Sequence, residues 1–197
     1  MNYTDSLLPQ KSVSNRVINA ALVLGTSWLI AISAQISFNI PFSPVPVTGQ
    51  TLIILLSGLI LGKKMGVAAV GVYLLQGAAG LPFFAGGKSG LAALAGPTGG
   101  YLFGFLVGVY VVGLLSELRH NRSIFQAATA LVVGNIVIYI FGLVWLARFV
   151  GEFQALNLGL YPFLVGDLIK ILSGLMIVGG SDTLISRFNS RGINTNM

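Results

Sequence analysis

Asp167 and Lys170 are an acid and a base three residues apart inside an apolar stretch, Tyr161 to Ser181, of a chain in which only 8% of residues are charged. An ionisable side chain in bilayer hydrocarbon costs about 2.5 to 3.5 kcal/mol on insertion scales, so a pair placed there is a functional-site candidate. Three residues apart on a helix, the two groups share a face and can converge on one ligand. A carboxylate only accepts hydrogen bonds and an ammonium only donates them. Together they complement a compact ligand with N–H donors beside a carbonyl, of which a cyclic urea is one example. The competing reading is an internal ion pair used for packing, or a Lys170 that snorkels toward water beside Asp167.

The elements that must hold this pair are membrane helices. Hydrophobic residues make up 55% of the 197 positions and the mean hydropathy is +0.88, too apolar for a soluble domain with a polar surface. The formal charge of +6 does not indicate nucleic acid, because the basic residues are spread thinly at the ends of apolar runs; anionic lipid headgroups suit them better. With no cysteine in the chain, disulfides and thiolate metal sites are excluded.

Apolar runs near the length of about 20 residues needed to cross a bilayer predict an all-α bundle of six transmembrane helices. They fall near Val17 to Phe38, Thr48 to Leu61, Gly66 to Gly80, Thr98 to Ser116, Ser123 to Ala147 and Pro162 to Ser181. The second and third are short and meet at the turn Gly62, Lys63, Lys64. Cytoplasmic loops are enriched in Lys and Arg. An inside N-terminus makes Lys11, Arg16, Lys63, Lys64, Arg119, Arg122, Arg187 and Arg191 cytoplasmic, and leaves Lys88 and Arg148 outside. Both termini are therefore expected inside, as polar tails over about 1–15 and 189–197 of a single transmembrane domain covering 1–197. The first apolar run is long for a signal peptide and lacks a convincing cleavage site near Ser33 and Ala34, so it reads as a retained helix. If the last helix enters from outside near Pro162, a residue suited to a first helical turn, Asp167 and Lys170 lie roughly 7 to 12 Å below its outer end.

Two outward connections have unusual composition. Asn39 to Val47 carries Pro41, Pro44 and Pro46, which favour a stiff extended lid. Leu81 to Pro97 mixes Pro82, Phe83 and Phe84 with Gly86, Gly87, Lys88, Gly90 and Gly96, and such loops often contact ligands while helices supply the frame. A loop that merely connects helices, with its phenylalanines in lipid, is the plainer reading. Gly96, Gly100, Gly104 and Gly108 recur every four residues and predict close helix packing in the fourth span. Ala21 and Gly25 form a shorter version on the first span, suited to a partner helix or to internal packing.

Other chemistry finds little support. Pro82 to Ser89 ends like a phosphate-binding loop, but Pro82 replaces its first glycine, no strand can precede it and the topology places it outside. Any ATP must be hydrolysed by another polypeptide. His120, the only histidine, reads as a loop residue beside Arg119 and Arg122. No paired carboxylates, metal cluster or nucleophile-elbow pattern is present. No catalytic residue, cofactor or metal is expected.

Four blocks in order carry a family resemblance: Pro44-Val45-Pro46-Val47-Thr48-Gly49-Gln50-Thr51; Gly80-Leu81-Pro82-Phe83-Phe84-Ala85-Gly86-Gly87; Gly96-Pro97-Thr98-Gly99-Gly100-Tyr101; and Pro162-Phe163 with Gly166-Asp167-Leu168-Ile169-Lys170. In these the chain resembles the BioY family of biotin-transport proteins, the substrate-binding S components of energy-coupling factor transporters. The resemblance implies a six-helix bundle in a cell membrane of bacterial type, no enzymatic activity, and biotin captured on the extracytoplasmic side. It further implies partners: a transmembrane coupling subunit, docked at Ala21 and Gly25, and two ATPase subunits. Asp167 is then expected to accept from the ureido N–H groups and Lys170 to donate to the ureido carbonyl. Phe83, Phe84 and Tyr101 are expected against the bicyclic ring and valeryl chain, Gly86 and Gly87 in the binding loop, Gln50 as a further hydrogen-bonding group and Lys88 at the biotin carboxylate. The loop after Phe84 lacks the asparagine that some relatives carry near there, and Gly25 stands where the family's coupling face usually has alanine. An S component for riboflavin or thiamine, an intramembrane enzyme using Asp167 as base, and a structural membrane subunit are the alternatives.

Overall fold

A backbone removed from water must satisfy its own N–H and C=O groups, and the apolar runs accordingly become helices. The structure, a computed structural model, describes residues 14–118 and 123–177. The expectations placed on Lys11, Arg119, His120, Arg122, Arg187, Arg191, most of the N-terminal tail, the C-terminal tail and the last residues before Ser181 lie outside the described residues. The helices are α1 (Ser14–Gln35), α2 (Gln50–Ala78), α3 (Gly90–Ala95), α4 (Gly99–Glu117), α5 (Ile124–Val150) and α6 (Glu152–Gly159). After a 3₁₀ turn at Tyr161–Phe163 the chain enters α7, helical over 164–177. Among the described residues, five stretches are long and apolar enough to cross a membrane: Arg16–Gln35, Gln50–Ala78, Gly99–Glu117, Ile124–Val150 and Glu152–Ile177. The protein is a mostly helical, multi-pass membrane protein.

The turn expected near Gly62 is present. Gly62 has φ 78° and ψ 176°, a backbone state open mainly to glycine, and there α2 doubles back on itself. In a straight helix residues 23 apart would be about 35 Å apart; instead the Tyr73 hydroxyl donates to Gln50 Oε1 at 3.4 Å. A Cβ added to Gly66 would lie 3.1 Å from the Cα of Gly58 on the opposing limb.

α4 runs through the middle, between the α2 hairpin and α5. Its glycine stripe faces α5: a Cβ at Gly104 would meet the Ile138 carbonyl at 3.0 Å, one at Gly108 would meet Ile138 Cγ1 at 2.8 Å, and one at Gly100 would strike Trp145. In a bilayer such backbone contact supplies dispersion energy where the hydrophobic effect does not drive association. Gly96 is not part of the stripe, because α4 has not yet begun there and Gly96 caps the short α3. Ile54, Tyr73, Val109, Val112, Leu131 and Ile138 fill the centre. Polar groups stitch the helices together: the Ser27 hydroxyl bonds Gln76 Oε1 at 3.0 Å, and the Ser116 hydroxyl donates to the Leu59 carbonyl at 3.1 Å.

The proline-bearing connection is less extended than its composition predicts. Two short strands, β1 (Ser37–Phe38) and β2 (Val47–Thr48), pair antiparallel across its base, with Ser37 opposite Thr48. Between them the Ser43 amide reaches back to the Ile40 carbonyl in a turn, and the Ser43 hydroxyl donates to the Leu158 carbonyl at 2.6 Å. The loop is thus fastened to α6 as well as to α1. The helices α3 and α6, which hydropathy does not distinguish from connections, sit at this same end.

Candidate functional site

Where α1 ends and α4 begins, the bundle forms an open cavity of about 710 Å³, a volume that includes solvent space at its mouth. The first turns of α2 and α4, the middle of α5 and the first turns of α7 form its walls, and Val45, Pro46, Phe84 and Lys88 come from the two loops. Among the expected ligand residues, Asp167, Lys170, Gln50, Phe84, Tyr101 and Lys88 all line it.

Asp167 is 6% exposed, and both of its oxygens are engaged. Lys170 Nζ donates to Oδ1 at 2.9 Å, Asn135 Nδ2 donates to Oδ2 at 3.1 Å, and the Tyr139 hydroxyl donates to the same Oδ2. Lys170 also donates to the Thr51 hydroxyl oxygen at 2.9 Å. The pair therefore belongs to a five-residue network drawn from α2, α5 and α7, every member of which lines the cavity. A smaller pocket of about 230 Å³, its open space included, is lined by the same Thr51, Asn135, Asp167 and Lys170 together with Leu52, Leu55, Leu131 and Ile171. Four of the five network residues thus line both spaces.

Apolar and aromatic surface completes the main cavity. Phe84 is buried and stands edge-on to Tyr73 at 5.7 Å. Tyr101 stands edge-on to Tyr139 at 6.4 Å and donates to the Gly159 carbonyl at 2.9 Å, which orients its ring. Lys88 is exposed at the mouth, its carbonyl receiving the Phe84 amide at 3.0 Å.

Three expected loop contacts lie elsewhere. Phe83 turns away from the cavity and packs edge-on against Trp28 of α1 at 5.5 Å. Neighbouring side chains on extended backbone point to opposite sides, and Phe84, at φ −77° and ψ 162°, is extended. Gly86 and Gly87 are exposed and do not line the cavity; with φ near 70° they make the turn that returns Lys88 toward it. That turn is gripped by Gln35 at the end of α1. The Gln35 amide nitrogen, with two hydrogens to share, lies 3.2 to 3.3 Å from the carbonyls of Pro82, Phe83 and Phe84, and its oxygen accepts from the Gly87 amide at 3.1 Å.

Asn135, Tyr139 and Thr51 are absent from the sequence-based expectation. For Asn135 a signal existed: it is a lone amide in the middle of an apolar helix, where polar side chains seek partners across helices. Ala21 and Gly25 are exposed, and a Cβ on Gly25 would meet nothing within 4 Å, so that short stripe packs against no other described part of the chain.

The model of the BioY family matches residues 8–187. The chain is 44% identical over 150 residues to the biotin transporter BioY of Thermotoga maritima, covering 76% of this chain and 86% of the relative. It is 41% identical, with the same two coverages, to the probable biotin transporter BioY of Pyrococcus horikoshii. Among solved structures, the S-component for biotin from an ECF-type ABC transporter superposes with a TM-score of 0.75 at 26% identity, covering 86% of this chain and 93% of that one.

Proposed function

The chain belongs to the BioY family, and from that premise we propose that it is the biotin-binding membrane subunit of an energy-coupling factor vitamin transporter, a carrier and not an enzyme. The observation that carries the reading is the buried Asp167–Lys170 pair on the wall of a cavity that opens at the end of the bundle. The relatives named for biotin transport favour biotin over riboflavin or thiamine.

Within this reading the chain acts as one transmembrane substrate-binding unit of six crossings, the α2 hairpin supplying two of them. Lys63 and Lys64 at the hairpin turn and Arg16 near the start of α1 mark the cytoplasmic side, and Lys88 and Arg148 the outer side. Both termini are then cytoplasmic, and the cavity opens outward in the cell membrane.

Biotin enters with its ureido ring toward Asp167 and Lys170. An N–H of the ring donates to Asp167, and Lys170 donates to the ring carbonyl. Phe84 and Tyr101 pack along the bicycle, Gln50 adds a polar contact, and Lys88 at the mouth meets the carboxylate. Lys88→Ala should weaken binding of biotin but not of biotin amide; equal behaviour of the two ligands removes Lys88 from the site. The exposed Ala21 and Gly25 offer a smooth strip to a coupling subunit that works with two ATPases. Gly25→Leu should release those partners on co-purification, and an intact complex would count against that surface.

Mass spectrometry of small molecules retained by the detergent-solubilised chain should find biotin, and unlabelled biotin should displace labelled biotin while riboflavin and thiamine do not. Displacement by either of those vitamins, or no biotin at all, refutes the reading.

A further inference from the structure

Asp167 is short of acceptors for a urea. An ionised carboxylate offers about four lone-pair sites, and three are already occupied: Oδ2 takes Asn135 Nδ2 and the Tyr139 hydroxyl, and Oδ1 takes Lys170 Nζ. One place remains, on Oδ1. A cyclic urea presents two N–H donors, so the second needs another acceptor on the same wall, because an N–H buried without a partner costs about 1 to 3 kcal/mol.

Gln50 Oε1 accepts from the Tyr73 hydroxyl at 3.4 Å and keeps one lone pair, but its side chain makes no hydrogen bond to Asp167 that would set it beside the acid. The loop over 85–88 brings no side-chain amide. Asn135 is better placed. Its amide must turn its nitrogen toward Asp167, because a carboxylate cannot donate, and this directs Oδ1 away from the acid. Asn135 is 9% exposed and lines the main cavity as well as the smaller pocket, and among the described residues its Oδ1 accepts no hydrogen bond. A buried carbonyl oxygen without a donor, beside a carboxylate with one site left, is an unfilled half of a two-point acceptor.

We infer that Asn135 is a specificity-determining residue, its side-chain carbonyl accepting the second ureido N–H while its amide nitrogen holds Asp167 in place. This rests on the biotin reading above and deepens it: Asp167 and Asn135 take one N–H each, and the site selects for a urea with both nitrogens unsubstituted. A ring methylated on either nitrogen loses one of the two bonds.

The test measures binding of biotin and its two mono-N-methyl ureido isomers to the full detergent-solubilised chain and to Asn135→Ala, with Asn135→Ser as a second variant should the first not fold. In the unsubstituted chain each methyl should weaken binding about 10-fold or more. In the variant biotin itself should bind more weakly, and one isomer should bind as well as biotin does while the other stays penalised. A uniform fall for all three ligands, as expected of a residue acting only through Asp167, overturns the inference. Unchanged biotin affinity overturns it too. If the unsubstituted chain does not bind biotin, the transport reading fails first and the inference goes with it.

Discussion

The described chain holds two acid–base pairs at opposite ends of the bundle. Lys63 and Glu117 meet at 3.1 Å, with side chains 30% and 24% exposed, where the α2 hairpin turns beside the end of α4. Lys170 and Asp167 meet at 2.9 Å, with side chains 18% and 8% exposed. The distances are nearly equal and the settings are not. Glu117 also accepts the Lys63 backbone amide at 2.9 Å, so that pair closes a turn, and water can reach both partners. Around the buried pair three more side chains converge, and both partners line two pockets. An ion pair marks a binding site when it is buried, propped by other helices and left with spare donors and acceptors facing a space. Proximity alone does not.

The largest expected effect comes from breaking the buried pair. Asp167→Ala should reduce biotin affinity by about 100-fold or more, and stranding Lys170 should lower stability by about 3 to 5 kcal/mol. Asp167→Ala combined with Lys170→Met should regain much of that stability in a thermal melt without regaining biotin. Recovery of binding in the double variant would reduce the pair to a packing device. A smaller effect is expected at its support: Thr51→Val removes an acceptor from Lys170 and should weaken biotin about 10-fold, as read by titration calorimetry. No change there would detach Thr51 from the site. The smallest belongs to the other pair. Glu117→Ala should lower stability by less than about 1 kcal/mol and leave biotin affinity as it was; a large loss of binding would erase the distinction between the two ends.

The hinge at Gly62 was legible because a glycine followed by two lysines interrupts an apolar run too long for one crossing, and the stripe on α4 because small residues every fourth position share a helix face. Gly96 continued that spacing beyond the helix itself, which sequence period alone does not reveal. Phe83 and Phe84 are adjacent and chemically identical, yet one packs on Trp28 and the other on Tyr73. Composition cannot separate them; the extended backbone at Phe84 does.

By itself the sequence determined the solvent the protein folds in, through its hydropathy, and the rarest feature within that solvent, an acid and a base three residues apart in an apolar helix. Both are local properties, fixed by side-chain chemistry and the helical repeat. Only the tertiary structure decided what completes the site. Asn135, Tyr139 and Thr51 reach the pair across 32, 28 and 119 residues of chain. Hydrogen bonds between helices depend on which faces the close glycine packing turns toward one another, and no spacing along the chain encodes that.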